Sequence, residues 1–297
     1  MFTDEFTKLR LTGWFPGHML KAGREMHEAL KLVDLVVELV DARAPLATRN
    51  PALREILASK PFIIVANKAD LSDKAGARDW KRWFDEQGLR SFFLSSPRLS
   101  NVQELTTLWK SIVAEERAAR GATRPLTRPV RLMIVGIPNI GKSTLINHLH
   151  LKNKAITGPK PGVTRQNQWI PLRDNLELLD TPGVLWPRIS DKRHELLLAA
   201  LGNLSEEVAG TFTVAEFLAA MLLDQQRNDA WEKLGLTAIP ATPDLALEAL
   251  AARRGFLKAG AQPDLERAAV AILKEFRDGK LGRMTLQPPP PPPAPQE

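Results

Sequence analysis

No cysteine occurs among the 297 residues, which removes disulfides, thiolate zinc sites, iron–sulfur clusters and cysteine nucleophiles together. Long apolar runs are missing as well. The stretch Leu32 to Val40 is broken by Asp34 and Glu38, and no segment approaches the ~20 apolar residues that crossing a bilayer requires. Nor does a continuous apolar stretch follow the first charges, as it would in a secretory leader. Internal repeats are absent. These absences predict a soluble protein of the cytosol with no membrane partner. What is present is ordinary: 44% hydrophobic and 25% charged residues, in a chain long enough for one large or two ordinary domains.

Charge is unevenly spread. Residues 1–187 hold 28 lysines and arginines against 19 aspartates and glutamates, while residues 188–287 hold 13 against 14. A basic excess confined to one part points to a polyanionic partner, because clustered Lys and Arg neutralise phosphate backbones. Solubility alone is the plainer explanation. The run from Glu115 to Arg131 carries arginines at 117, 120, 124, 128 and 131 and reads as an exposed tether or a basic strip.

Apolar runs alternate with amphipathic stretches over residues 1–187, the pattern of a mostly parallel sheet between helices. Strands are expected at 33–40, 62–66, 91–94, 130–135, 169–172 and 176–179. Trp80, Trp83 and Phe84 share one face of a helix over 77–87, where core packing outweighs stacking on nucleobases. Residues 188–286 read as a separate helical domain, with helices at 194–202, 214–228, 243–255 and 264–278. Thr213 and Asp264 mark expected helix starts, and Gly255 and Gly279 expected stops. Residues 287–297 contain six consecutive prolines and read as a disordered, polyproline-prone tail.

Gly136-Ile137-Pro138-Asn139-Ile140-Gly141-Lys142-Ser143-Thr144 contains G-x-x-x-x-G-K-[ST] between an apolar strand and an amphipathic helix. Glycines let such a loop curl so that its amides face the phosphates, and the following helix start adds its dipole. Lys142 would neutralise β- and γ-phosphate oxygens, and Ser143 would ligate Mg²⁺. Asp180-Thr181-Pro182-Gly183 follows a second apolar strand. Asp180 would hold the metal through water, and Gly183 would bring a backbone amide to the γ-phosphate. Between them, Thr164 lies in a Pro/Gly-rich segment and would meet Mg²⁺ only when a γ-phosphate is present, as a switch does.

Guanine differs from adenine by an N1–H and N2–H₂ edge that a carboxylate can accept from. Asn67-Lys68-Ala69-Asp70 has the N-K-x-D form, with Asn67 for polar support, Lys68 for stacking and Asp70 for the bidentate contact. Ser95 and Ser96, after the next strand, would offer amides to guanine O6. In an ordinary small GTPase the phosphate loop comes first and the base reader last. Here the order is reversed, and Asn153-Lys154-Ala155 downstream lacks the carboxylate, having Ile156 in its place. The five elements together argue for a circularly permuted domain, with residues 115–131 joining the old ends.

This order resembles the circularly permuted GTPases. Trp14-Phe15-Pro16-Gly17-His18-Met19, Val40-Asp41-Ala42-Arg43-Ala44-Pro45 and the extension Val184-Leu185-Trp186-Pro187 narrow the resemblance to the ribosome biogenesis GTPase A family, the YlqF type. That resemblance implies an α/β fold: a circularly permuted P-loop GTPase domain followed by a small all-helical domain. It also implies GTP hydrolysis during late maturation of the large ribosomal subunit, contact with its rRNA, and release on hydrolysis to GDP. A bacterial, cytoplasmic monomer is expected, although a mitochondrial matrix counterpart would look similar. By the same resemblance His18 takes a catalytic role and Asn139 points to K⁺ as a cofactor. Valine at 184 cannot orient water, so turnover of the isolated protein should be slow. Two other readings remain open: a GTP-binding rRNA scaffold with little turnover, and a small-subunit assembly GTPase. The absence of cysteine and of an N-terminal barrel weighs against the second, and Asp70 weighs against an ATPase or kinase.

Overall fold

A computed structural model of the chain describes residues 1–11, 28–50, 53, 57, 60–95, 101–150, 168–180, 189 and 191–291. The chain divides into two compact units, residues 16–187 with 287–297, and residues 1–15 with 188–286.

The first unit is built on a sheet of six described strands. They are β1 (Leu35–Asp41), β2 (Phe62–Asn67), β3 (Ser91–Phe93), β4 (Val130–Val135), β5 (Gln168–Leu172) and β6 (Leu176–Asp180), in the spatial order β3-β2-β1-β4-β6-β5. Every pairing is parallel except β5 with β6. Parallel strands are covered on both faces, which is why β1 reads as a near-continuous apolar run and is buried along its whole length. Helices α1 (Lys74–Glu86), α2 (Val102–Ala119) and α3 (Lys142–Leu149) connect the strands. Asp73 caps α1 by accepting from the Gly76 amide at 2.7 Å, and Trp80 and Phe84 are buried beneath that helix. Their rings lie 5.6 Å apart, as core packing requires.

The chain runs outward from β1 to β2 and β3, then returns to the other side of β1 at β4. That return is the topological switch point, the crevice where open α/β sheets bind ligands. The connection that makes it is less tether-like than the arginine run implied. Residues 115–119 belong to α2, and two of the five arginines are held by carboxylates. Arg128 makes two bonds to Asp34, at 2.7 and 2.9 Å, and Arg131 opens β4 with Nε 3.3 Å from Glu177. Asp34 also accepts from the Arg131 amide, so one carboxylate fixes the starts of both β1 and β4.

The second unit is helical. Its elements are α4 (Lys192–Ala200), α5 (Glu206–Ala209), α6 (Thr211–Asp224), α7 (Asn228–Lys233), α8 (Pro243–Arg254) and α9 (Leu265–Arg277). α6 is buried along most of its length, from Val214 to Leu222, and forms the centre of this unit. Asp264 caps α9 by accepting from the Arg267 amide, and Gly255 ends α8 in the left-handed region at φ 64°. Two expectations are corrected here. The helix expected at 214–228 starts at Thr211, behind Gly210, rather than at Thr213. It also breaks after Asp224, where Gln226 takes φ 52° and α7 begins separately.

The N-terminal residues, expected with the sheet, pack here instead. A 3₁₀ helix over Phe2–Lys8 sets the Phe6 ring 5.5 Å from Phe217 of α6. Asp224 accepts from the amides of Phe2 and Thr3 and from the Thr3 hydroxyl. Gln287, assigned by sequence to the tail, is likewise not a tail residue. It bonds three times within the sheet unit: its amide to the Arg43 carbonyl, its side-chain oxygen to the Ala47 amide, and its carbonyl to the Trp80 indole.

Candidate functional site

β4 delivers the phosphate-loop sequence directly to the switch point. Gly136 sits so close to β1 that an added Cβ would lie 2.9 Å from the Leu39 carbonyl oxygen. No other residue fits there without moving the strand. Gly141 takes φ 103° as the residue before α3, and Asn139 takes φ 56°, so the loop curls as such loops must. α3 opens with no acidic residue in its first turn and no side-chain cap. Its first amides and its dipole are therefore available to an anion. Lys142 opens the helix half-buried, and burial pushes its ammonium below the usual lysine range. An anionic ligand beside it would reverse that shift. Ser143 and Thr144 are exposed on the first turn, while Leu145 and Leu149 anchor the opposite face.

The base-reading sequence lies beside this loop in space despite its distance in the chain. Asn67 ends β2, and its side-chain amide donates to the Ile140 carbonyl inside the phosphate loop at 2.8 Å. That bond spans 73 residues and joins the two strings into one site. Ala69 donates to the Leu94 carbonyl, and Leu94 donates back to Ala66, which fixes the Ser95 turn against Lys68-Ala69-Asp70. Among the described residues, Asp70 Oδ1 and Ser95 Oγ are both enclosed and have no hydrogen-bond partner. Leaving such an atom unsatisfied costs about 1–3 kcal/mol. Two such atoms next to each other's loops fit a ligand edge that supplies donors to a carboxylate, as guanine does.

Asp41, at the end of β1, was quoted in the sequence only as part of a string. It is fully buried and makes two bonds to the Arg43 guanidinium and one to the Arg43 amide, all between 2.9 and 3.0 Å. Its other partner is the Lys68 ammonium at 3.0 Å. Burial would push this carboxyl up, but Arg43 and Lys68 outweigh it and hold it well below the usual carboxylate range. Lys68 has φ 57°, a backbone conformation that a lysine does not adopt freely, so Asp41 helps fix the lysine of the base reader in place. The signal was available as an acid at the end of an apolar strand two residues before an arginine. Nothing in the sequence said that Lys68 would be the third member.

The other expected residues fall as follows. Pro138 is half-buried, Asn139 exposed and Ile140 fully buried within the loop. Asp180 closes β6, the strand paired with β4, which brings its backbone to the same edge of the sheet. Among the described residues, no cluster of three metal-ligating side chains occurs. A Mg²⁺ site built from Ser143 and phosphate oxygens needs none. His18, Ser96, Thr164 and Gly183 lie outside the described residues.

A family described as "50S ribosome-binding GTPase" matches residues 131–234, beginning at the strand that carries the phosphate loop and leaving the base reader upstream. The chain is 40% identical to "Ribosome biogenesis GTPase A" of Bacillus cereus, covering 93% of each chain. It is 33% identical to "Mitochondrial ribosome-associated GTPase 1" of Mus musculus, over 92% of this chain and 89% of that one. Among solved structures, GNP-bound YlqF from T. maritima matches with a TM-score of 0.61 and 28% identity, over 90% of this chain and 98% of that one.

Proposed function

The chain belongs to the ribosome biogenesis GTPase A family, a guanine-nucleotide-binding GTPase of ribosome assembly, and from that premise we propose that it acts on the maturing large ribosomal subunit, bound in the GTP state and released after hydrolysis. The observation that supports the guanine assignment is a pair of enclosed atoms, Asp70 Oδ1 and Ser95 Oγ, that have no partner among the described residues and lie next to a phosphate loop tied to Asn67. The large-subunit assignment is supported by the 50S description of the matching family. The bacterial cytoplasm is the compartment proposed, and the monomer the working form.

The proposed roles are those the sequence motifs imply. Gly141, Lys142, Ser143 and Thr144 take the phosphates, with Lys142 as the cation and the α3 amides as donors. Asp70 would accept from the guanine edge, the amides of Ser95 and Ser96 would be offered to O6, and the Lys68 stem would cover the ring. Ser143 and Thr164 would hold Mg²⁺, with Asp180 acting through water, and Gly183 would offer its amide to the γ-phosphate. When bound, Mg²⁺ would neutralise charge on the β- and γ-oxygens. Asn139, exposed in the loop, is the residue proposed for K⁺. Valine at position 184 offers no group to orient water, so His18, placed by the ribosome-bound state, completes catalysis.

The test is GTP hydrolysis in K⁺ buffer, measured alone and with purified large or small subunits. Stimulation by the large subunit only is expected. Stimulation by the small subunit moves the protein to that branch, and none by either, with tight GTP binding intact, makes it a scaffold. Single-turnover hydrolysis by His18→Ala on the large subunit tests the catalytic assignment.

A further inference from the structure

At the opposite end of β4 from the phosphate loop, the last turns of α2 and the segment leading into β4 enclose a cavity of about 400 Å³. Lys110, Arg117 and Arg124 bring cations to it, and Val113, Leu126 and Val130 give it an apolar wall. Its volume falls in the range of small-molecule sites, and it is open to solvent.

The acids nearby are already engaged elsewhere. Glu115 and Glu116 pair with Arg90, Asp34 with Arg128, Glu177 with Arg131, and Asp174 accepts from the Thr106 hydroxyl. Among the described residues no carboxylate pairs with Lys110, Arg117 or Arg124. Arg117 instead donates to the Arg124 carbonyl, which holds the two chain segments together without spending charge. The positive field extends further, since Arg120 helps to depress the Lys60 ammonium, after burial and against the pull of Asp34. Three unneutralised cations around a partly apolar cavity match one chemistry closely: phosphate groups flanking a base or ribose.

We propose that this cavity, at the link between the permuted ends, is a contact site for a single-stranded or looped segment of RNA, one nucleotide seated in it and its phosphates on Lys110, Arg117 and Arg124. The inference rests on the ribosomal reading above and adds the surface that reading lacks. It also gives the basic excess of the sheet unit a use that one phosphate-loop lysine cannot.

The test compares the wild type with Lys110→Gln/Arg117→Gln/Arg124→Gln. Probes are a fluorescein-labelled twelve-uridine RNA and purified large and small subunits, with a fluorescent GTP analogue as the control for folding. Losing three phosphate contacts should reduce the slope of log affinity against log salt by about 2 and weaken RNA binding roughly 100-fold near 0.1 M salt. GTP affinity should be unchanged, since none of the three residues belongs to the nucleotide site. An unchanged slope overturns the proposal. So does displacement of the RNA by millimolar UMP, which would make the site one for free nucleotide, or by a twelve-residue oligoglutamate at the concentration of unlabelled RNA. If the triple variant loses GTP affinity, the exposed Arg124→Glu alone decides, with a slope change of at least ~0.7 required. Failure of the ribosomal reading looks different: the wild type would then associate with neither subunit while still binding the RNA through these residues.

Discussion

At the C-terminal end of β4 the chain presents a curled loop, one lysine and the start of α3, which has no side-chain cap. At the N-terminal end of the same strand it presents Lys110, Arg117 and Arg124 around an open cavity. Both ends suit phosphate, by different physics. In the loop a single cation faces a ligand carrying several negative charges, so fixed amides and backbone shape must do most of the binding. In the cavity long side chains supply charge without a fixed frame, so affinity should scale with the number of cations and fall with salt. Substitutions at the nucleotide end should therefore change affinity steeply and with little salt dependence.

The largest effect is expected at Asp70. Asp70→Asn removes the acceptor for the guanine edge and should weaken GTP binding by roughly 10³-fold or more without producing a preference for ATP. Equilibrium titration with a fluorescent GTP analogue reads the loss, and RNA affinity should not move. Unchanged GTP affinity would remove the base-reading assignment. An equal loss of RNA binding would erase the contrast between the two ends.

Asp41 comes next. Asp41→Asn leaves Arg43 buried without its countercharge and should cost about 3–5 kcal/mol in urea unfolding at neutral pH. The carboxyl is held below its ordinary value, so its contribution is present above the unfolded value of about 3.9 and is lost as pH falls toward the folded one. The wild type should thus lose stability on acidification more steeply than the variant. Parallel curves would mean that Asp41 does not carry the linkage. A smaller change is expected from Lys142→Ala, which removes charged hydrogen bonds worth about 2–3 kcal/mol and should weaken GTP binding roughly 30- to 150-fold. Because that loss comes from an enclosed contact, it should persist at high salt, unlike the loss at Arg124.

Much of this was legible in the chain. The six strands fall within two residues of their expected ends because buried parallel strands write themselves as unbroken apolar runs. The phosphate loop and base reader were legible as strings. Their adjacency was inferred from order alone, and the structure gives it substance in the Asn67–Ile140 bond. What escaped has a common cause, namely partners far away in sequence. Asp41 stood only within a quoted string, Arg128 within a run read as a tether or basic strip, and the sequence of Phe2–Lys8 gave no sign that Asp224 would receive it. Gln287 was hidden by composition, since a glutamine before six prolines reads as the start of a tail.

Gln287 also yields the finest test of the contrast. Leu286 is the last residue of the helical unit, and Gln287 is the first of the chain's return to the sheet unit. It holds the 43–47 segment, whose Arg43 shares Asp41 with Lys68 of the base reader. Gln287→Ala deletes only the acceptor for the Ala47 amide and keeps the two backbone bonds, to Arg43 and Trp80. The expected cost is about 1 kcal/mol, with GTP affinity falling less than roughly fivefold. Hydrogen exchange at the Ala47 amide should lose protection while the Asn67–Ile140 region keeps its own. If Ala47 stays protected and GTP affinity is untouched, the base reader stands without this brace and its rigidity comes from Asp41 alone. If exchange instead spreads to Asn67 and Ile140, the bracing at this end is cooperative: a preorganised site should loosen as a whole, whereas independent cations at the other end should fail one at a time.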